Sequence, residues 1–254
     1  PKNGATWLVY EYAGLATLAG YARPASVRVA EMPPRRGVFG NLLPPQPLPK
    51  WRERADYVVK GILKQSIEAL ATLHERGIKH GSVGRGSVVL GSAGQDKNEA
   101  SSPYALIPSR LRLRLTDLGF SVPLKEASTD DAFRNRARSY NLTILEGDDN
   151  IASRNFAVAE DLHALGFVFL GLLLTSLAEL TPGSRADSLP PADEDSLQRL
   201  LGDIFEGDFD KFREYLEEER AWRNVVGLLD EKDGAGWDLL RQMCRARERA
   251  GEIG

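Results

Sequence analysis

The sequence holds a single cysteine, Cys244, so no disulfide can close within the chain. With only three histidines and no clustered ligands, nothing is spaced like a structural zinc site. These two absences favour a reducing, intracellular setting. An excess of either charge is also missing: 33 Lys and Arg against 36 Asp and Glu leave a net charge of −3. Lacking a basic bias, the chain is not expected to bind nucleic acid, and it has no acidic solvating tail. Long apolar runs are scarce. The one uncharged stretch, Ala164 to Leu177, is shorter than the ~20 residues of a spanning helix. It is flanked by Asp161 and Glu179 and reads as a buried core helix, so no transmembrane span is expected. The first residue is Pro1, not methionine; the expectation is a true start upstream, with any targeting peptide out of view. A plastid or another organelle is compatible with that.

What is present suits one sizeable domain: 254 residues, of which 42% are hydrophobic, can build their own core. Trp7 to Tyr12 reads as a strand that leaves into a loop at Ala13-Gly14. The proline- and glycine-rich stretch from Arg23 to Pro49 reads as a long loop. From Trp51 to Arg76, Val58, Val59, Ile62, Leu63, Ile67, Leu70 and Leu73 recur at helical steps, and Gly77 closes the helix. Short elements follow at Ile78 to His80 and Val88 to Leu90, then a polar loop from Gly91 to Ser102. Leu111, Leu113 and Leu115 alternate with polar residues, the pattern of a half-buried strand running into Asp117. Phe120 to Asn155 reads as irregular, with a basic cluster, Arg134, Arg136 and Arg138, as a solvated face or a patch for an acidic partner. Helices are expected around 197–205, 209–229 and 237–249. The order is α+β, mainly helical with a few short strands.

These landmarks resemble the C-terminal lobe of the protein kinase family. Leu8-Val-Tyr-Glu-Tyr-Ala-Gly14 is similar to the last strand of the N-terminal lobe and the hinge. Leu73-His-Glu-Arg-Gly-Ile-Lys-His80 is similar to the lead-in to the catalytic loop, and Asp117-Leu118-Gly119 to the D-F-G element. Asp161-Leu-His-Ala-Leu-Gly166 resembles the start of the buried central helix, and Trp237-Asp-Leu-Leu-Arg-Gln-Met-Cys244 the last helix. The resemblance implies a strand and hinge over residues 1–14 and a kinase-like C-lobe over 15–254, with insertions near 23–50 and 91–109. Most of the N-lobe is absent from this chain. Glu11, Tyr12 and Ala13 would be hinge residues for a nucleotide. It also implies a spine in which His80 and Leu118 stack and Asp161 anchors the stack from below, accepting backbone N–H groups.

The same alignment removes the chemistry. The pattern H-R-D-L-x-x-x-N falls on His80-Gly81-Ser82-Val83-Gly84-Arg85-Gly86-Ser87. Ser82 stands where the base should be, and a hydroxyl is a poor base near neutral pH. Ser87 replaces the magnesium-binding Asn, Gly84 the Lys and Gly81 the phosphate-receiving Arg. No A-P-E element is present, Leu145-Glu-Gly-Asp-Asp149 being the nearest stretch. No catalytic residue is expected, and Asp117 is the one candidate metal ligand. The implied function is a pseudokinase serving as scaffold or subunit of a larger assembly, without cofactor. The alternatives are an atypical Ser/Thr-type kinase or an ATP-sensing regulator, with ATP bound and Asp117 holding Mg.

Overall fold

The computed structural model describes residues 16–21, 51–92, 111–179 and 189–251. The Trp7–Tyr12 strand, the hinge residues Glu11, Tyr12 and Ala13, and nearly all of the two expected insertions lie outside the described residues.

The described chain is mostly helical with a few short strands. The expected first long helix is present in three continuous pieces. They are α2 (Trp51–Asp56), a wide-turned stretch over Tyr57–Leu63, and α3 (Lys64–Glu75). Val58, Ile62 and Leu70 on its apolar stripe are essentially sealed from solvent. Gly77 ends the helix with φ +72°, a conformation a side chain would disfavour. Before it lie β1 (Ala16–Thr17) and the single turn α1 (Leu18–Tyr21). After it come β2 (Ile78–Lys79), β3 (Val88–Ser92) and β4 (Leu111–Leu115). The antiparallel sheet runs β1-β3-β4, with Val88 opposite Leu115 and Leu90 opposite Leu113. β5 (Val122–Pro123) pairs with β2, so residues 122–123 lie directly beside the lead-in to the loop at His80.

The segment expected to be irregular is so only in part, chiefly over residues 140–150. It contains α4 (Asp131–Ser139), started by Asp130, whose carboxylate accepts from the Ala132 N–H at 2.9 Å. The sequence is polar enough to hide this helix, because only Phe133 and Ala137, four residues apart, face inward.

The central helix α5 (Ile151–Ser176) is longer than the apolar run that announced it. Asn150 caps it by accepting from the Ser153 N–H at 2.9 Å, so Asp161 sits in mid-helix and does not open it. It is long and apolar enough to cross a membrane, yet 83% of its most apolar window is buried within the fold.

The expected single helix over 209–229 is two, α7 (Phe209–Glu218) and α8 (Arg223–Leu229), following α6 (Glu194–Arg199). The break at Glu219 lets Trp222 turn inward, where its indole N–H donates to the Leu174 carbonyl at 3.0 Å. α9 (Glu231–Cys244) opens through three left-handed residues, Lys232, Asp233 and Gly234, and α10 (Ala246–Arg249) follows it.

Two apolar clusters flank α5. The larger joins it to the α2–α3 helix, the sheet and α6 to α9. The smaller gathers Leu124, Phe133, Ile144 and Phe156 with Ala246 and Ala250, and Phe133 meets Phe156 edge-on at 5.3 Å.

Helix contacts this close make the glycines asymmetric. A Cβ on Gly171 would lie 2.6 Å from the Ala192 carbonyl oxygen, whereas one on Gly227 meets nothing within 4 Å. Urea unfolding should show Gly171→Ala destabilised by about 1–3 kcal/mol. Gly227→Ala, which only removes backbone freedom from a helix, should gain about 0.5–1 kcal/mol.

His163 is buried between α5 and the end of α9, with Nδ1 2.6 Å from the Cys244 carbonyl oxygen, so that nitrogen carries the proton. Burial, helped by the nearby Arg247 charge, pushes its pKa down from 6.5 to about 4. The unfolded chain therefore binds the extra proton first. The contribution of His163 is complete above pH 6.5 and is lost as pH falls towards 4. Between pH 7 and 5 it should decline by about 2 kcal/mol, and His163→Gln should lack that part of the slope.

Candidate functional site

The loop from His80 to Ser87 is held between α5 below and the Thr116-Asp117-Leu118 turn beside it. One carboxylate does most of the holding. Asp161 Oδ2 accepts the His80 N–H at 2.7 Å and Oδ1 accepts the Gly81 N–H at 2.9 Å. His74 Nε2, from the end of α3, lies 2.9 Å from Asp161 Oδ2. Asp161 and the fully buried His80 thereby tie three elements at one point.

His80 Nε2 lies 3.0 Å from the Thr116 carbonyl oxygen, which can only accept, so Nε2 bears the hydrogen. Nδ1 then accepts the Ser82 N–H at 3.3 Å. The Ser82 hydroxyl is 3.5 Å from this nitrogen, an imidazole neighbour that the sequence order had not made evident. The hydroxyl nonetheless donates to the Asp117 carbonyl at 2.8 Å. Its proton is directed away from His80, which is not the arrangement of an activated nucleophile.

Ser87 is turned into its own loop. Its hydroxyl accepts the Gly84 N–H and donates to the Gly84 carbonyl, both at 2.9 Å, and the residue is buried. Gly84 leaves no cation at its position. The adjacent Arg85 does not supply one, since Glu194 of α6 accepts from its backbone N–H at 3.0 Å and its Nε at 2.9 Å. Gly81 has φ +79°, and a Cβ there would lie 2.5 Å from the Phe120 carbonyl oxygen. The space that an arginine side chain would leave through is filled by main chain. Ser121 reinforces this by donating its hydroxyl to the His80 carbonyl at 3.0 Å.

Asp117 is exposed, in the left-handed conformation (φ 61°, ψ 47°), and its carboxylate has no partner among the described residues. These residues fit a kinase-type pair of magnesium ions poorly. Asp117 offers one carboxylate, the Ser87 hydroxyl is already committed, and no group of three acidic, histidine or cysteine ligands occurs among the described residues.

Leu118 corrects an expectation. In place of a buried position against His80, it is 47% exposed and begins a single 3₁₀ turn with no buried residue. The left-handed turn at Asp117 carries it outward, and Phe120 and Val122 are exposed after it.

A second charged centre lay unread in the sequence. Glu160, next to Asp161 and 5% exposed, accepts from Lys79 of β2 and from Arg136 of α4, with Arg136 Nη2 at 3.1 Å. Burial alone would raise the Glu160 pKa, but the hydrogen bond from Arg136 and the Lys79 charge outweigh it and hold the group lowered. Lys79 also lies over the Phe133 ring at 4.8 Å. The basic cluster is therefore divided: Arg138 lies on a solvated face, whereas Arg136 reaches inward to Glu160. Arg136 is spent on Glu160, Arg134 on Asp131 and the Ser128 carbonyl, and Arg138 on Asn135. The available sequence signal was two adjacent acids, Glu160 and Asp161, leading into an apolar run.

No family model matches the sequence, and no solved structure matches it. Among curated proteins it is similar to "Serine/threonine-protein kinase STN7, chloroplastic" of Arabidopsis thaliana, at 24% identity over 264 aligned positions. The match takes in 98% of this chain and 42% of the relative, so the chain spans less than half of that protein's length. At this distance the match supports a relation to protein kinases without specifying activity.

The Asp161 contacts set one expectation. Asp161→Asn turns an amide N–H₂ towards backbone donors that need an acceptor, and should cost roughly 2–4 kcal/mol. Amide exchange should accelerate at His80 and Gly81 ahead of the sheet. Unchanged exchange at those two amides would remove Asp161 from its role as the anchor.

Proposed function

We propose that this chain is a kinase-like C-lobe that has given up phosphoryl transfer and serves as a scaffold for other protein subunits. The observation that carries the reading is the state of the loop hydroxyls. Ser82 and Ser87, at the positions of the base and of the second metal ligand, are both bonded to main chain within the site. General-base assistance contributes about 10²–10⁴-fold, and charge neutralisation by metals and cations carries much of the rest. Here the base, one metal ligand and the loop cation are replaced together. The scaffold side of the proposal is supported by how firmly the same loop is tied down, through Asp161 below and Glu194 beside it. The relative's printed name carries the word chloroplastic, and a plastid is the compartment we propose for this chain.

A second reading has one observation in its favour. Asp117 keeps an exposed carboxylate at the end of β4, where one Mg–ATP contact would be made in an ATP-sensing regulator or an atypical kinase.

The discriminating experiment is ATP phosphotransfer by the full-length protein, to itself and to a generic substrate, with Asp117→Ala alongside. The expected result is incorporation no greater than that of the variant. Transfer that disappears in Asp117→Ala would overturn the scaffold reading. Nucleotide binding without transfer, abolished by the same substitution, would establish the sensor in its place.

A further inference from the structure

The charge of the chain is unevenly placed. Residues 203–219 carry eight acids and two bases, a net of −6, although the whole chain sums to −3. Both bases are already engaged. Lys211 lies 3.8 Å from Asp208, and Arg213 pairs with Glu217 at 2.8 Å and with Asp230 at 3.0 Å. Asp203, Glu206, Glu214 and Glu218 are exposed and form no ion pair among the described residues. The next base, Arg220, comes only after Glu219.

Among these acids the chain holds an apolar side chain out in water. α6 continues into a wide-turned stretch, Leu200–Ile204, and Ile204 at its end is 67% exposed. The turn that follows is fixed by main chain. The Phe205 N–H donates to the Leu200 carbonyl at 3.1 Å, the Gly207 N–H to the Leu201 carbonyl at 2.8 Å, and the Asp208 N–H to the Phe205 carbonyl at 2.8 Å. It passes through two left-handed residues, Glu206 (φ 52°) and Gly207 (φ 76°), the first of which carries a side chain at a conformation that favours glycine.

Beside Ile204 in the chain, Phe205 is half-buried, and its ring lies 5.6 Å from that of the half-buried Tyr215. The pair rests on Phe212 and Trp222, both sealed from solvent, with Phe212 5.9 Å from Phe205 and Trp222 6.2 Å from Tyr215. The aromatic floor is therefore rigid. Burial raises the pKa of the Tyr215 hydroxyl and the Glu219 charge adds to it, so that carboxylate stands close to the phenol. Glu218 lies three residues on from Tyr215 and faces the same side of α7.

We infer that this face docks a basic segment of a partner protein in which lysines or arginines flank one or two large apolar side chains. Ile204, Phe205 and Tyr215 supply the apolar anchor, and the unpaired acids around them select the sign of the partner. Charge excludes the other occupants. Nucleic acid and anionic membranes are negative throughout, and a second copy of the chain would bring the same net −6 to a two-fold contact. The inference rests on the scaffold reading only in taking the occupant to be a protein. Phosphotransfer tests the loop and binding tests this face, so either can fail alone.

The test is fluorescence anisotropy with the full chain and a labelled peptide of sequence Gly-Lys-Lys-Ile-Trp-Lys-Lys-Gly. Saturable binding is expected that weakens with added salt and is about tenfold weaker for Ile204→Ser, a substitution at an exposed position. The Glu214→Lys/Glu218→Lys double variant should lose this peptide and gain affinity for its counterpart with Glu at each Lys, a reciprocal effect that misfolding cannot produce. Absence of saturable binding, or equal binding by native chain and Ile204→Ser, would overturn the inference. So would equal binding of a control peptide with Ser in place of Ile and Trp, which would reduce the effect to charge alone. Self-association of the native chain in sedimentation that Ile204→Ser abolishes would assign the face to a second copy and overturn it as well.

Discussion

Asp161 carries three hydrogen bonds from a position enclosed by the most apolar helix of the chain, and the local architecture is arranged around that fact. A carboxylate at this depth is tolerated only when its oxygens are satisfied, and here the donors are two successive backbone N–H groups and an imidazole. Satisfying it fixes the end of α3, the path of the chain at His80 and the height of α5 relative to both. Once His80 is fixed, its ring can reach the Thr116 carbonyl, which sets where β4 ends and where Asp117 must turn. The loop hydroxyls then find their partners within a frame already set.

Glu160 does for residues 120–150 what Asp161 does for the loop. Neighbours on a helix point about 100° apart, so two adjacent acids can serve two different structures from one turn. The Glu160 side chain gathers Lys79 and Arg136, joining β2 and α4 to the central helix through charge, while Phe133 packs on Phe156 beneath them. A buried ion of this kind adds specificity of position more securely than it adds stability.

The parts of the fold that could be read from the sequence were those where burial is one-sided. The helix before Gly77 declared itself because Val58, Ile62 and Leu70 mark one stripe, and β4 because Leu111, Leu113 and Leu115 mark one face. α4 stayed hidden because two inward residues in nine do not make a period. The break at Glu219 stayed hidden because its cause, the indole of Trp222 reaching the Leu174 carbonyl, is a contact between residues far apart in sequence. At the candidate site, residue identities could be aligned with a pattern, but their orientations could not. Nothing local says that Ser87 bonds back to Gly84, that Leu118 faces outward, or that Glu194 reaches Arg85. Each is settled by which neighbour three-dimensional packing brings within reach.

The close approach of the Phe120 carbonyl to Gly81 has an evolutionary consequence. A side chain at position 81 requires both a φ that non-glycine residues seldom adopt and the removal of a main-chain oxygen from the space where its Cβ must lie. Phe120 is in turn held by the β2–β5 pairing and by Ser121 on the His80 carbonyl. An arginine at position 81 is therefore not one substitution away, because the intermediate carrying it alone is strained, while one that first frees the neighbouring strand loses its ladder. Glycine at position 81 and the present path of residues 120–123 are thus mutually dependent, and a change at either is constrained by the other.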